Sequence, residues 1–105
     1  MGRVTWSKSV SAKGTVGTNL TVTPASGSQN ILFRMIVNAP LANDDCTLKI
    51  YSDSVAAANL HFDGYMADRD DEGAIEFPAG KTCTTNWIVV TSGGSGDLFA
   101  RADYR

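Results

Sequence analysis

The most chemically suggestive stretch of the sequence is DGYMADRDDEG, residues 63–73, which holds five acidic residues and one arginine. Carboxylates at this density can bind calcium or act as acid–base catalysts. An EF-hand needs a glycine at its sixth position and a bidentate glutamate at its twelfth. Counting from Asp68, the sixth residue is Gly73 but the twelfth is Ala79, which excludes an EF-hand. A looser calcium site remains open, with these ligands: Asp68, Asp70 and Glu72.

The simplest interpretation of this acidic stretch is a solvated loop that keeps the neighbouring strand ends soluble. Arg69 lies among the aspartates and supplies an internal counter-ion, which lowers the need for a metal. Glycosidases hold two carboxyl groups at fixed separations on rigid elements, and neighbours on one loop are poorly placed for that. We therefore predict that the loop is not catalytic and that the protein uses no metal or other cofactor.

The remaining nucleophiles and bases do not form a recognisable catalytic set. His61 is the only histidine, and the alternation in ANLHFD places it on the outer face of a strand. A Ser-His-Asp site needs that histidine beside an activated serine, and the sequence has no G-x-S-x-G motif. The glycine-rich stretch TSGGSGD lacks the Lys-Ser/Thr pair of a phosphate-binding loop. We predict that the protein is not an enzyme.

The two cysteines, Cys46 and Cys83, occur without a CxxC motif, so the sequence indicates neither a zinc site nor a thioredoxin-type site. Two interpretations remain open. A reducing cytosol favours buried thiols that pack as small hydrophobic side chains. A disulfide between the two residues would instead close a long loop and stabilise the fold by about 4 kcal/mol.

Hydrophobic and polar residues alternate through most of the chain, which is the pattern of half-buried antiparallel strands. In CTLKIYSD, Leu48 and Ile50 point to one side, while Tyr51 points to the other. In ILFRMIV, alternation predicts that four residues share the core face: Ile31, Phe33, Met35 and Val37. Prolines and glycine-rich connections separate these runs, as expected for turns between strands.

The pattern predicts eight strands, near residues 3–8, 14–23, 29–38, 45–51, 57–62, 74–77, 82–91 and 97–104. No segment keeps a helical period, although one helical turn near residues 54–58 is compatible with the sequence. Eight short strands in 105 residues are typical of a β-sandwich. We therefore predict one all-β domain over residues 1–105, an antiparallel sandwich of jelly-roll or Greek-key type.

One predicted strand departs from the alternation, because the segment WIVV is apolar throughout. The outer side of such a strand is covered either by another chain or by a loop or terminal segment of its own chain. Both explanations remain open. We predict two contact surfaces for a partner: the outer face of residues 87–90 and the N-terminal residues 2–9. Alternation also places Val4 and Trp6 together, toward the core. The residues assigned to these surfaces are Val4, Trp6, Trp87, Ile88, Val89 and Val90.

The charge balance bounds the kinds of partner. The formal net charge is −2 at pH 7, the pI is about 5.1, and only 19% of the residues are charged. Binders of nucleic acid or of anionic membranes need a basic face, so neither partner is expected. No apolar run approaches the length of a membrane span, and the start MGRVTWSKSV lacks the apolar region of a secretory signal. We expect synthesis in the cytoplasm and no membrane partner.

Aromatic residues support an alternative function, a carbohydrate-binding module or lectin-like domain. Sugars stack on exposed rings, and Tyr51 and Tyr65 are the aromatic residues that the alternation leaves free. The acidic loop would then add calcium to the sugar site.

The overall layout resembles the small β-sandwich virion proteins of tailed bacteriophages, such as capsid decoration (cement) proteins and head-fibre proteins. The features that carry the resemblance are the short chain, its wealth of Ser, Thr and Gly, the PAGKT turn before WIVVTSGG, and the final strand LFARADYR. The resemblance implies a non-enzymatic structural role in the virion and binding to a viral capsid or other virion protein. It also implies a homo-oligomer, with a trimer favoured.

Overall fold

The structure is a computed structural model that describes residues 6–39, 46–65 and 73–105. These residues form eight strands and one 3-10 turn, Ala57–Asn59. The strands are β1 (Lys8–Thr15), β2 (Leu20–Val22), β3 (Ile31–Asn38), β4 (Thr47–Ser52), β5 (Leu60–Tyr65), β6 (Gly73–Thr82), β7 (Trp87–Ser92) and β8 (Asp97–Tyr104). Within this part of the chain, no helix has the length and hydrophobicity that a membrane span requires.

The eight strands form two antiparallel sheets of four. The first sheet has the order β1-β8-β3-β6, and the second has the order β2-β7-β4-β5. The chain forms one long hairpin that is folded over, so that its two arms run through both sheets. This follows from the strand pairs β4–β5, β3–β6, β2–β7 and β1–β8. This topology is a jelly roll. The predicted all-β sandwich is therefore confirmed.

The core lies between the two sheets and follows the predicted alternation in most strands. Trp87 and Tyr104 meet at its centre from opposite sheets, with ring centroids 5.7 Å apart. Their polar atoms are also paired, since Trp87 Nε1 donates to the Lys81 carbonyl and Tyr104 Oη accepts from the Ala25 N–H. The fully buried residues around them include Val22, Leu32, Met35, Val37, Leu48, Ile50, Val89, Leu98 and Ala102.

The N-terminal part of the predicted strand pattern is wrong. The first described strand is Lys8–Thr15, and residues 6 and 7 of the predicted strand 3–8 are not in a strand, while residues 3–5 lie outside the described part of the chain. Trp6 is exposed instead of facing the core. The strand was missed because its inward positions are small and weakly apolar, beginning with Val10 and Ala12. The predicted strand over residues 14–23 is also interrupted, because the chain turns at Gly17, which has a φ of 95°. It resumes as the three residues of β2.

A bulge in β3 changes which residues of that strand face the core. The register of β3 against both neighbours shifts between Leu32 and Arg34. Leu32 therefore faces the core, whereas Phe33 is buried outside the core cluster and packs near Gly80. The prediction that Ile31 and Phe33 share the core face with Met35 and Val37 is thus wrong, since neither Ile31 nor Phe33 belongs to the core cluster. A strictly alternating pattern cannot reveal an inserted residue.

His61 lies at a second bulge and does not face outward as predicted. Ile50 pairs with Phe62 and Tyr51 with Leu60, so His61 is the extra residue of β5. Its Nε2 lies 2.9 Å from the Ser52 hydroxyl, and the side chain is half-buried. Burial, helped by the charge of Lys81, lowers the pKa of His61. The imidazole is therefore neutral at pH 7.

Cys46 and Cys83 are both buried and are not joined. Burial raises the pKa of both thiols, and with a smaller contribution from Asp53 it raises the pKa of Cys83 to about 12. Both cysteines therefore pack as protonated, weakly reactive side chains.

Candidate functional site

The strand β7 presents its residues to two different sides of the sandwich. Trp87 and Val89 are 0% exposed and belong to the core. Their side chains are therefore not available to a partner of the folded domain. Ile88 and Val90 alternate with them and lie half-buried on the outer face of the second sheet. Of the four predicted contact residues on this strand, only these two remain candidates for an interface.

Ile88 and Val90 belong to an apolar patch in the middle of the second sheet. Tyr51 is the register partner of Ile88 on β4, and Leu60 is the partner of Tyr51 on β5. We call these four residues the β7 patch: Tyr51, Leu60, Ile88 and Val90. Hydroxyl side chains surround it, including Thr21 on β2 and the hydrogen-bonded pair Thr47 and Ser92.

The two tyrosines that the sequence assigned to a sugar site differ in exposure. Tyr65 is 72% exposed, but Tyr51 is only 7% exposed and offers no free ring face for stacking. The expectation that Tyr51 is free is therefore wrong. The acidic residues Asp68, Asp70 and Glu72, which would complete that site or bind calcium, lie outside the described residues.

Trp6 lies on the opposite side of the sandwich from the β7 patch. Its ring packs against the guanidinium of Arg34, with 4.4 Å between the ring centroid and Cζ. Arg34 projects from the outer face of the first sheet, so Trp6 and Ile88 cannot contribute to one continuous surface. Val4, the other predicted contact residue of the N-terminal segment, lies outside the described residues.

A buried carboxylate organises the outer face of the first sheet. The side chain of Asp103 is 1% exposed and accepts hydrogen bonds from Ser9 Oγ at 2.6 Å and Arg34 Nε at 2.7 Å. Arg101 Nε lies 3.2 Å from its other edge. Burial by itself raises the pKa of Asp103, but these donors outweigh it and hold the pKa below its ordinary value. We call these four residues the Asp103 network.

An open groove of about 460 Å³ lies beside the Asp103 network, across β1, β8 and β3. The pairing register brings its residues together, since Lys13 lies opposite Phe99 and Ile36 lies opposite Arg101. The Lys13 ammonium lies 5.4 Å from the centre of the Phe99 ring. The side chains that line the groove include Ser11, Lys13, Ile36, Asn38, Phe99 and Arg101.

Sequence reasoning missed this groove because its residues come from three strands that are distant in the chain. One local signal was present. In LFARADYR, residues Phe99, Arg101 and Asp103 alternate on the outer face of a single strand. An aromatic residue, a cation and an anion at this spacing indicate that the outer face of the strand is a candidate binding surface.

The described residues provide no catalytic set. The closest approach to one is the contact between Ser52 and His61, but the described part of the chain supplies no carboxylate to orient that imidazole. Neither residue lines the groove. No group of three or more His, Cys, Asp or Glu residues is arranged to hold a metal ion within residues 6–39, 46–65 and 73–105.

A scan against protein-family models finds no match to the chain, and a search of curated proteins finds none that is significantly similar.

Proposed function

We propose that this protein is a non-enzymatic structural protein of a virus particle, a capsid decoration protein that binds the capsid lattice and stabilises it by bridging subunits. The observation that carries the proposal is the β7 patch, an apolar area at the centre of an outer sheet face. The resemblance of the sequence layout to phage decoration proteins gives the partner its identity.

The β7 patch supports adhesion because its position is unusual for a small sandwich. In a two-layer domain the outer face of each sheet meets water and is normally polar. Here β7, a central strand of the second sheet, places Ile88 and Val90 on that face, with the largely buried Tyr51 beside Ile88. Complete burial of a side chain such as Ile88 contributes about 1.5–3 kcal/mol, and Ile88 and Val90, already largely covered, each retain at most about a third of that for a partner.

The surroundings of the patch suit a protein surface. Interfaces between proteins combine an apolar centre with a polar rim that hydrogen-bonds directly or through water. Thr21, Thr47 and Ser92 provide hydroxyl groups for such a rim, and Lys49, opposite Val90, and Asp63, opposite Lys49, add one charge of each sign.

The proposal includes a homo-oligomer, with a trimer favoured. A decoration protein gains affinity when several copies engage a symmetric lattice together, because each further contact is intramolecular. The patch can serve either the lattice or the second copy. Trp6, on the other side of the sandwich, is then available for the remaining contact.

The test compares wild type with the double variant I88T/V90T. Threonine preserves the β-branched shape, but burying its hydroxyl in an interface costs about 1–3 kcal/mol for each residue. We expect the double variant to lose at least about tenfold in affinity when it is sedimented with empty capsids of the virus that encodes the chain. Light scattering of both proteins, alone in solution, reports the oligomeric state.

The matched control is T21V, which lies opposite Ile88 and enlarges the apolar area. It should bind at least as well as wild type, with an unchanged thermal melt. A wild-type protein that stays monomeric and does not sediment with capsids would contradict the proposal. Equal capsid binding by wild type and I88T/V90T would show that the β7 patch is not the contact surface.

A further inference from the structure

The groove of the first sheet and the β7 patch lie on opposite faces of the sandwich. A domain attached through the second sheet therefore leaves the groove open to the surroundings. The groove has its own chemistry, and its ligand does not depend on what the β7 patch contacts.

The charged side chains that line the groove are both cations. Lys13 makes no ion pair with any described residue, and its ammonium group lies over the Phe99 ring. Arg101 shares the Asp103 carboxylate with Arg34, so the three groups together keep one positive charge. The acidic residues Asp97 and Glu76 are on the same sheet face, but they do not line the groove.

The cationic groups stand beside apolar and hydrogen-bonding surface. Phe99 is 39% exposed, and Ile36 adds an aliphatic side chain next to it. Ser11 contributes a hydroxyl, which can both donate and accept a hydrogen bond. Arg101 directs Nε and one Nη toward Asp103, and its other Nη has no partner within the described part of the chain. A guanidinium edge of this kind is well suited to a carboxylate.

We propose that this groove binds an acidic saccharide, a sugar chain that carries carboxylates. The ring of such a sugar has an apolar face for Phe99 and Ile36, hydroxyls for Ser11, and a carboxylate for Lys13 and Arg101. A neutral sugar would leave Lys13, and the one excess positive charge of Arg34 and Arg101 on Asp103, without a counter-charge. The overall charge of −2 disfavours a polyanion that needs a broad basic surface, such as nucleic acid.

The binding test uses isothermal titration calorimetry of the intact protein with a short oligogalacturonate as the probe. The variant K13Q removes one cation from an exposed position without touching the Asp103 network. Its matched control is K49Q, the same change on the outer face of the second sheet, beside Val90. We expect K13Q to bind about tenfold more weakly, as for the loss of one charge-assisted contact, and K49Q to bind like wild type.

Three further ligands separate the class of ligand from simple charge attraction. These are a neutral oligosaccharide of equal length, inorganic phosphate and oligoglutamate, and each should bind more weakly than oligogalacturonate. The proposal is overturned if millimolar oligogalacturonate gives no binding, if K13Q and K49Q lose affinity equally, or if oligoglutamate or phosphate binds as tightly. I88T/V90T should retain full saccharide affinity, so this result is independent of capsid binding.

Discussion

Replacing Asp103 by alanine is the sharpest test of how the outer face of the first sheet is held together. The carboxylate is 1% exposed and lies within hydrogen-bonding distance of Ser9, Arg34 and Arg101. The variant D103A removes the common acceptor of these three donors. It therefore removes a hydrogen-bonded contact that links the three neighbouring strands β1, β8 and β3.

The loss of stability expected for D103A depends on how exposed Arg34 and Arg101 are. Breaking a buried ion pair by removing one member costs about 3–5 kcal/mol, because the other charge stays buried. Here Arg34 and Arg101 keep 27% and 45% of their side-chain surface in water, so part of that penalty is relieved. Each hydrogen bond to a charged group contributes about 1.5–3 kcal/mol. We expect D103A to lower the free energy of unfolding by about 3 kcal/mol.

The assay is urea unfolding followed by tryptophan fluorescence, with a thermal melt beside it. For 105 residues the unfolding entropy is roughly 0.22 kcal/mol/K, so the melting temperature should fall by about 14 °C. The control E76Q changes an exposed acid on the same sheet face and should stay within about 0.5 kcal/mol of wild type. A D103A variant within about 1 kcal/mol of wild type would refute the reasoning.

The same carboxylate makes stability depend on pH. The pKa of Asp103 lies below its ordinary value of 3.8 in the folded state, so the unfolded chain binds its proton more readily. Its stabilising contribution is therefore complete above that ordinary value and is lost as pH falls through the lower folded pKa. The difference in unfolding free energy between wild type and D103N should be constant from neutral pH to about pH 5 and shrink in stronger acid.

Three further predictions concern local contacts. Gly80 has a φ of 80°, and an added Cβ would lie 2.5 Å from Ile31 Cγ2, so G80A should lower the free energy of unfolding by about 2–4 kcal/mol. Gly17 has a similar φ but open space around it, so G17A should lower it by about 1–2 kcal/mol in the same urea assay. Asp53 accepts hydrogen bonds from consecutive backbone N–H groups before β7 and has a φ of 67°. We expect D53A to lower the free energy of unfolding by about 1–2 kcal/mol and D53N to lower it clearly less, because asparagine tolerates that backbone conformation. Equal losses in the two variants would contradict this. The Cys83 thiol should react with a disulfide reagent about a hundredfold more slowly in the native protein than in concentrated guanidinium chloride, and fast native labelling, detected by mass spectrometry, would contradict its burial.

The fold was predictable wherever a strand alternates without interruption. β8 runs over residues 97–104 as predicted, and β4 buries Leu48 and Ile50 as predicted. Two of the errors fall at bulges, where one extra residue turned Phe33 away from the core and left His61 half-buried. Another is β1, whose inward residues are small and weakly apolar. Alternation reports the face of a residue only while the count along the strand stays intact.

The candidate sites were predictable only in part, for a related reason. The apolar run that contains Ile88 and Val90 is contiguous, so its outer face could be inferred from β7 alone. The groove depends on Lys13 lying opposite Phe99, a pairing of residues at the two ends of the described chain. No local pattern encodes such a pairing, because it arises from the order in which the strands enter the sheet.

The place of β8 in the first sheet constrains how the protein is made. This strand lies between β1 and β3, yet it is the last of the eight to be synthesised. A nascent chain therefore cannot join β1 to the rest of the sheet, or cover Trp87 with Tyr104, until residues 97–104 have left the ribosome. The domain can therefore complete its fold only once residues 97–104 are available, and chains that end before β8 will expose their apolar strands to chaperones and proteases.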